Sequence, residues 1–247
     1  MIVLPMAGLS SRFFEAGYTE PKYMLDLNGQ TVFSHALTSF RAYFGQERIT
    51  IICRGEYGTP EFVRAECLKA GLPADDLDLV VLDHETAGQA ETVALGLDRA
   101  KADPAAPLTI FNIDTFRPGF THPTAFDLTS VDGYVEVFQG PGTHWSFVRP
   151  DTSNPDAFRA AEVAEKVRIS DLCSTGLYYF RNVALFQTLY APIAAKDPAT
   201  LQCGERYVAP LYNDAIQQGL DIRYALIDAD DVQFCGTPDE YDALRGL

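Results

Sequence analysis

The residues best suited to chemistry lie at the start of the chain, in a glycine- and serine-rich segment that follows a short apolar run. Gly8, Ser10 and Ser11 predict a tight turn in which several backbone N–H groups have no bulky side chain in front of them. Arg12 adds a planar, forked cation, and Lys22 adds a mobile ammonium group ten residues later. This combination predicts a cradle for an anionic group such as a triphosphate. An ordinary strand-to-helix turn with a surface arginine is the structural alternative.

A second candidate is an aspartate that follows a strongly apolar run. Residues 108–112 are predicted as a buried strand, and Asp114 comes directly after it. A carboxylate is the kind of hard oxygen ligand that Mg²⁺ prefers and usually shares with substrate phosphates. An aspartate in this position also suits a cap on the following turn, so the residue alone leaves both interpretations open.

The composition limits the classes of partner. The chain has 247 residues, of which 47% are hydrophobic, so it is long enough to bury a substantial core. A formal net charge of −15 argues against nucleic acid or an anionic membrane surface as a main partner. An acidic protein that binds nucleotides must gather cations at its site, and the candidates are Arg12, Lys22, Lys166 and a divalent metal.

The cysteines and the N-terminal segment bear on the cellular compartment. Five widely spaced cysteines with no Cys-x-x-Cys predict neither a disulfide framework nor a zinc site. They are Cys53, Cys67, Cys173, Cys203 and Cys235. The N-terminal apolar run lacks a basic leader and is too short for a signal peptide or a membrane span. We therefore expect a soluble, cytoplasmic protein.

The hydrophobic pattern predicts an α/β fold in a single domain spanning residues 1–247. In the first part, strands 2–4, 49–53, 79–82 and 108–112 alternate with helices 32–44, 60–68 and 90–101. This alternation predicts a parallel sheet covered on both faces, with ligands at the carboxyl ends of its strands. Gly8, Gln89 and Asp114 all follow predicted strands.

The second part of the chain has a different pattern. Strands are predicted at 133–138, 145–148, 162–167, 177–180 and 222–227, and helices at 183–189 and 207–218. Thr237, Pro238 and Glu240 predict a capping box at the start of a last helix. We expect residues from about 1 to 130 to form a nucleotide-binding half and those from about 131 to 247 an acceptor-binding half.

The N-terminal motif resembles that of a known family. Ala-Gly-x-x-Ser-Arg-Phe from Ala7 to Phe13, then Pro21-Lys22 and an apolar stretch, is similar to the opening of the sugar-phosphate nucleotidyltransferases, or NDP-sugar pyrophosphorylases. It is neither a P-loop nor a dinucleotide fingerprint. The resemblance extends to about Tyr241. It implies a three-layer α/β/α Rossmann-like (GT-A-like) fold with a mostly parallel mixed sheet.

The resemblance also implies an activity and the residues that perform it. A nucleotidyl group would pass from a nucleoside triphosphate to a sugar 1-phosphate with release of pyrophosphate, as in nucleotide-sugar and polysaccharide biosynthesis. Mg²⁺ would be the cofactor, bound by Asp114, and Arg12, Lys22 and Asp114 would be catalytic. The implied nucleotide-binding residues are Pro5, Met6, Ala7, Gly8, Ser10, Ser11, Arg12, Gly88 and Gln89. The implied acceptor-binding residues are Glu165, Lys166, Thr175 and Gly176. A homo-oligomer is compatible with this family.

One motif departs from the family pattern. Gly236-Thr237-Pro238 resembles its closing Asp-x-Gly-Thr-Pro element, but Phe234 stands where many members have a second metal-binding aspartate. Asp230 or Asp231 is the candidate substitute, and either suits a solvated turn equally well.

Three other functions stay open, the first of them because of this departure. The first is a cytidylyltransferase of the phosphocholine type, acting on a small phosphorylated amine or amide. A choline-like head group would need an aromatic cage, for which Trp145, Tyr178 and Tyr179 are candidates that also suit a core. A glycosyltransferase would usually carry Asp-x-Asp after the metal strand, and the segment Asp114-Thr115-Phe116 lacks the second aspartate. A non-catalytic nucleotide-binding protein has less need of Lys22.

Overall fold

The elements are taken from a computed structural model that describes residues 1–201 and 204–246. The α-helices are α1 (Ser11–Glu15), α2 (Val32–Thr38), α3 (Thr59–Ala70), α4 (Gln89–Arg99), α5 (Val183–Ala194), α6 (Leu211–Gln217) and α7 (Pro238–Arg245). The strands are β1 (Ile2–Pro5), β2 (Asp26–Leu27), β3 (Gln30–Thr31), β4 (Ile49–Arg54), β5 (Leu77–Leu82), β6 (Leu108–Phe111), β7 (Thr115–Phe116), β8 (Gly133–Gln139), β9 (Ser146–Pro150), β10 (Ala160–Glu165), β11 (Leu172–Phe180), β12 (Ile222–Leu226) and β13 (Gln233–Phe234).

The chain divides into two compact units. The first contains Met1, Thr86–Ile110 and His122–Ala229, and the second contains Ile2–Glu85, Phe111–Thr121 and the chain from Asp230 on. The predicted organisation, a single domain with a nucleotide-binding and an acceptor-binding half, stays a prediction.

The second unit is built on a short parallel sheet, in which β1 pairs with β4 and β4 pairs with β5. Ile2, Ile49 and Ile51 are among its buried strand residues, as expected for a parallel sheet covered by helices. The main chain leaves β1 at Pro5 and turns directly into α1. The carboxyl end of β1 therefore leads into the glycine- and serine-rich segment.

Helix α7 supports α1 within this second unit. The Tyr241 ring packs edge-on against Phe13 at a centroid distance of 6.1 Å, and Tyr18 donates a hydrogen bond to Asp242. The predicted capping box at the start of α7 is confirmed: Thr237 accepts from the Glu240 backbone, and the Glu240 side chain accepts from the Thr237 backbone. The C-terminal helix thus fixes the short helix that carries Arg12.

The first unit contains the antiparallel strands β8 to β11. Strand β11 pairs antiparallel with β8 and contacts β9, β9 pairs antiparallel with β10, and β12 adds in parallel to β8. The register of β11 against β8 shifts between Ser174 and Tyr178, which marks an irregularity at Thr175–Leu177. Gly176 lies in this irregularity with a φ of +84°, in the region that favours glycine.

Two predicted helices are too long at one end. The predicted helix 32–44 ends at Thr38, where the Thr38 and Ser39 hydroxyls donate to the backbone carbonyls of Ser34 and His35; a separate 3₁₀ turn follows at Arg41–Tyr43. The predicted helix 207–218 begins at Leu211, directly after Pro210, because proline suits the first turn of a helix but not its interior.

The other predicted elements are present with shifted ends. The predicted strand 177–180 is the last part of the longer β11, and the predicted strand 162–167 ends at Glu165. The four described cysteines are free and buried, as the absence of a disulfide pattern predicts, and Cys203 lies outside the described residues. Within the described ranges, no helix combines the length and the apolar character needed to span a membrane.

Candidate active site

The glycine- and serine-rich segment forms an open turn at the end of β1. The Met6 N–H donates to Ile52 C=O at 2.8 Å, which holds the start of the turn to the sheet. Beyond it, the N–H groups of residues 7–12 donate no hydrogen bond to any part of the chain that the structure describes. Ser10 has a φ of +55°, an uncommon conformation for a residue with a side chain. A row of unbonded N–H groups is a structural basis for binding an anion.

The predicted nucleotide-binding residues of this turn differ in exposure. Pro5, Met6 and Ala7 are buried, and Ser10 is half-buried. Gly8, Ser11 and Arg12 are exposed, and Arg12 forms no ion pair within the described chain. The main chain of the turn is therefore fixed at its buried end, and Arg12 is available at its exposed end.

Lys22 and Asp114 lie side by side, although 92 positions separate them in sequence. The Lys22 Nζ donates to Asp114 Oδ2 at 2.5 Å, and each side chain is about one-fifth exposed, at 21% and 20%. The Lys22 N–H also donates to the Ser10 hydroxyl at 3.2 Å, so lysine and turn are joined. The predicted catalytic residues Lys22 and Asp114 thus occupy one site, attached to the N-terminal turn.

The C-terminal part of the chain borders Asp114. Strand β13 pairs antiparallel with β7, the Cys235 N–H donates to Asp114 C=O at 2.8 Å, and a Cβ at Gly236 would lie 3.0 Å from Asp114 Oδ2. Burial raises the pKa of the Cys235 thiol to about 12, and the Asp114 carboxylate adds to the effect. This thiol is therefore protonated and unreactive at neutral pH.

Asp114 offers the kind of carboxylate ligand that a hard divalent cation prefers. No group of three or more His, Cys, Asp and Glu side chains that could hold a metal occurs within residues 1–201 and 204–246. Mg²⁺ is commonly held by one or two carboxylates together with substrate phosphates, so a single aspartate next to a turn with unbonded N–H groups suits it. Phe234, at the position of the missing aspartate, pairs with Thr115, whereas Asp230 and Asp231 lie in an exposed 3₁₀ turn.

In the first unit, the turn at residues 87–91, hereafter the α4 turn, is held from within the protein. Gly88 has a φ of +140° and a ψ of 176°, a region that is essentially restricted to glycine. A Cβ there would lie 2.6 Å from the backbone nitrogen of Arg206. Gln89 begins α4 and is half-buried. Glycine at position 88 is therefore required by the protein's own main chain.

We expect Gly88→Ala to weaken nucleotide binding by at least tenfold, because both the strained φ and the approach of Arg206 displace the α4 turn. The measurement is calorimetric titration of the nucleotide. Gly219→Ala is the control, since Gly219 also has a positive φ (+79°) but open space around it. Equal nucleotide affinity in Gly88→Ala and the wild type would contradict a role of this turn in binding.

The predicted acceptor residues of the first unit belong to a buried polar network. Glu165 is 6% exposed and accepts a hydrogen bond from the Ser146 hydroxyl, which also lies 3.3 Å from the Tyr178 hydroxyl. Lys166, the next residue, is exposed; its Nζ donates to the Tyr207 hydroxyl at 2.5 Å. The Glu-Lys pair thus has one buried and one exposed member.

A second buried carboxylate supports the other acceptor residues. Thr175, 1% exposed, donates to Glu136 Oε1 at 3.1 Å, and the Gly176 N–H donates to the Ser174 hydroxyl at 3.0 Å. Sequence reasoning missed Glu136, Ser146 and Arg206. Glu136 is the single charged residue within the apolar strand β8, and this was the signal that could have identified it. No sequence pattern marks Ser146 or Arg206.

Glu165→Gln is expected to raise the melting temperature at pH 7.5 by roughly 2–4 °C, a modest change for a chain of this size. Burial raises the pKa of the Glu165 carboxyl above its ordinary 4.5, although the Ser146 hydrogen bond and Lys166 oppose the shift. The folded state therefore retains the proton at a pH where the unfolded chain has lost it, and stability falls as the pH rises from 4.5 through the folded-state pKa.

Thermal melts at pH 4.5 and 7.5 test this prediction, with the gain expected to shrink at the lower pH. Glu162→Gln on the same strand is the control, because Glu162 is 41% exposed and pairs with Arg149. A lower melting temperature for Glu165→Gln at pH 7.5 would show that the buried charge stabilises the fold.

The comparison with solved structures shows which proteins share this arrangement. The nucleoside-diphosphate-sugar pyrophosphorylase of Vibrio cholerae RC9 is 46% identical over 100% of both chains, with a TM-score of 0.92. The chain belongs to the NDP-sugar pyrophosphorylase family. Members of this nucleotidyltransferase family are enzymes, and the recognition made from the N-terminal motif is confirmed.

More distant structures support the fold of this NDP-sugar pyrophosphorylase relative. A putative glucose-1-phosphate thymidylyltransferase of Bacillus anthracis is 16% identical, with a TM-score of 0.76 and coverage of 100% and 94% of the two chains. The inositol-1-phosphate CTP transferase of T. maritima is 12% identical, with a TM-score of 0.73 and coverage of 98% and 94%. The predicted α/β, Rossmann-like nucleotidyltransferase fold with a mostly parallel mixed sheet is confirmed.

No protein-family model matches the chain, and no curated protein matches it.

The aromatic residues considered for a phosphocholine cage have separate packing neighbours in this family member. Trp145 packs edge-on against Phe138, Tyr179 stacks on Tyr134, and the buried Tyr178 lies near Tyr212.

Proposed function

We propose that the protein is a Mg²⁺-dependent nucleotidyltransferase that joins a nucleoside triphosphate to a sugar 1-phosphate and releases pyrophosphate. The observation that carries the proposal is the Lys22–Asp114 pair beside the unbonded N–H groups of residues 7–12. An ammonium group, a carboxylate and a row of backbone donors are the groups needed to bring two phosphorylated substrates together. Membership of the NDP-sugar pyrophosphorylase family supports the same reaction.

The reaction is a substitution at phosphorus. An oxygen of the sugar phosphate attacks the α-phosphorus of the triphosphate, a new O–P bond forms, and the bond to the pyrophosphate leaving group breaks. No protein nucleophile is needed, because positioning and charge neutralisation supply most of the rate enhancement. Two unit charges about 4 Å apart at an intermediate dielectric repel by about 4 kcal/mol, so cations between the substrates have a large effect.

Each group of residues has a separate task in this proposal. The open turn and Arg12 bind the triphosphate, Gln89 contacts the base, and Lys22 neutralises charge between the reacting phosphates. Glu165, Lys166, Thr175 and Gly176 bind the sugar phosphate. Asp114 would hold Mg²⁺, which supplies positive charge to phosphate oxygens when bound.

The test is pyrophosphate release with Mg²⁺ from CTP, UTP, dTTP, GTP and ATP, each combined with hexose 1-phosphates or with phosphocholine. Release that requires one triphosphate and one hexose 1-phosphate is the expected result. Release with phosphocholine alone would overturn the sugar acceptor. If no pair of substrates gives pyrophosphate release while nucleotide still raises the melting temperature, the proposed transferase activity is overturned and a nucleotide-binding protein is favoured.

A further inference from the structure

The side chain of Arg206 connects several main-chain segments of the first unit. Its Nη1 lies 2.9 Å from Glu91 Oε1, and its Nη2 donates to the carbonyls of Ala194 and Lys196, both at 3.0 Å. Ala194 is the last residue of α5 and Lys196 lies two residues beyond it, where a cation is favourable because the last carbonyls of a helix lack partners. The Arg206 side chain is 12% exposed, so its interactions are only weakly screened.

The same residue closes a ring of hydrogen bonds around the α4 turn. The Arg206 N–H donates to Ala87 C=O at 2.7 Å, and the Ala90 N–H donates to Arg206 C=O at 2.8 Å. The Ala87 N–H in turn donates to Glu91 Oε2, while the other oxygen of Glu91 faces the Arg206 guanidinium. Gln89 lies between the residues that this ring holds, and the Arg206 guanidinium contributes to the ring through Glu91.

The next residue, Tyr207, holds the lysine expected to contact the acceptor. The Lys166 Nζ donates to the Tyr207 hydroxyl and lies 4.6 Å from the centre of its ring. Lys166 itself has a φ of +54°, and its N–H donates to Trp145 C=O at 2.8 Å. The lysine's main chain and its ammonium group are therefore both fixed.

We propose that Arg206 and Tyr207 form a positioning pair in which Arg206 sets base selectivity through the α4 turn and Tyr207 sets acceptor affinity through Lys166. The inference rests on the proposed function and deepens it. Neither side chain is assigned a contact with substrate. Two adjacent residues thereby connect the residues that read the base with those that hold the acceptor phosphate.

The test measures kcat and KM for the five triphosphates and the accepted sugar phosphate. In Arg206→Met, the ratio of kcat/KM between the best and the second-best triphosphate is expected to fall at least fivefold, and Arg206→Lys should restore part of it. Both variants keep the main-chain hydrogen bonds of position 206. In Tyr207→Phe, the acceptor KM should rise about tenfold, as for a lost hydrogen bond to a charged group, with triphosphate selectivity unchanged.

The matched control is Arg181→Lys, which alters the Arg181–Asp132 ion pair of the same unit, where Arg181 is 51% exposed. A purely structural role for Arg206 would lower the melting temperature and slow all triphosphates equally, leaving the selectivity ratio unchanged, and that result would overturn the proposal. An unchanged acceptor KM in Tyr207→Phe would overturn its second half.

A binding measurement separates this inference from the proposed function. If the wild type binds triphosphates but releases no pyrophosphate, the proposed function fails, and calorimetric dissociation constants for the same five triphosphates still test Arg206. In that case, dissociation constants of the five triphosphates that differ less from one another in Arg206→Met than in the wild type support the positioning role. Unchanged differences overturn it. A wild type that binds none of the five overturns both proposals.

Discussion

Replacing Lys22 with alanine is expected to lower turnover by two or more orders of magnitude and to leave the fold intact. Lys22 contacts Asp114 at 2.5 Å and is bonded through its backbone to the Ser10 hydroxyl, so its ammonium group is held beside the open turn of residues 7–12. Loss of one fixed charge-stabilising contact typically costs about 10²–10³ in kcat. Lys22 is not one of the buried core residues, so its truncation leaves the apolar core unchanged.

The measurement is the initial rate of pyrophosphate release, with circular dichroism and a thermal melt to verify folding. Lys69→Ala is a matched control: Lys69 is 62% exposed and its ion pair with Glu66 spans 3.6 Å on a helix surface. Near-normal turnover in purified Lys22→Ala would remove Lys22 from the catalytic residues, and with it the proposed mechanism.

Asp114→Asn is expected to cause a loss of similar size, about 10²–10³ in kcat, that added Mg²⁺ does not restore. Asparagine keeps the size of the side chain, and the main-chain bond from Cys235 to Asp114 C=O at 2.8 Å remains. The change removes the negative charge that would hold Mg²⁺ and that pairs with Lys22. The variant should therefore fold while failing in catalysis.

Rates over a range of Mg²⁺ concentrations test the prediction, with Asp156→Asn as the exposed control. The double variant Lys22→Ala/Asp114→Asn adds a second test. Because the two side chains act as a unit, its loss should be clearly smaller than the product of the two single losses. Full recovery of Asp114→Asn at high Mg²⁺ would indicate that Asp114 only strengthens metal affinity, and wild-type rates at all concentrations would exclude it from the site.

Local patterns were sufficient for most of the fold. Residues 2–4, 49–53 and 108–112 are apolar and β-branched, and they form strands close to the predicted limits. The capping box at Thr237 depends only on residues within one helical turn, and it was predicted completely. Helix ends were predicted less well. The side-chain hydroxyls of Thr38 and Ser39 bond to main-chain carbonyls at the end of α2, and the ring of Pro210 determines where α6 begins.

The site was predictable where a single segment forms it. The open turn at residues 7–12 is determined by its small residues and by the strand before it. The Lys22–Asp114 contact was not readable from the sequence, because it joins residues 92 positions apart. The buried partners Glu136 and Ser146 were likewise missed, since strand pairing alone brings them to Thr175 and Glu165.

Gly88 shows the boundary between the two kinds of information. The sequence by itself determined the order of the longer strands and helices, the small-residue turn after β1 and the family, because these depend on residue types and short spacings. Only the tertiary structure decided that position 88 must be glycine. A Cβ at this position would lie 2.6 Å from the backbone nitrogen of Arg206, which is far along the chain. Contacts of this kind depend on how distant segments pack, and no local spacing encodes them.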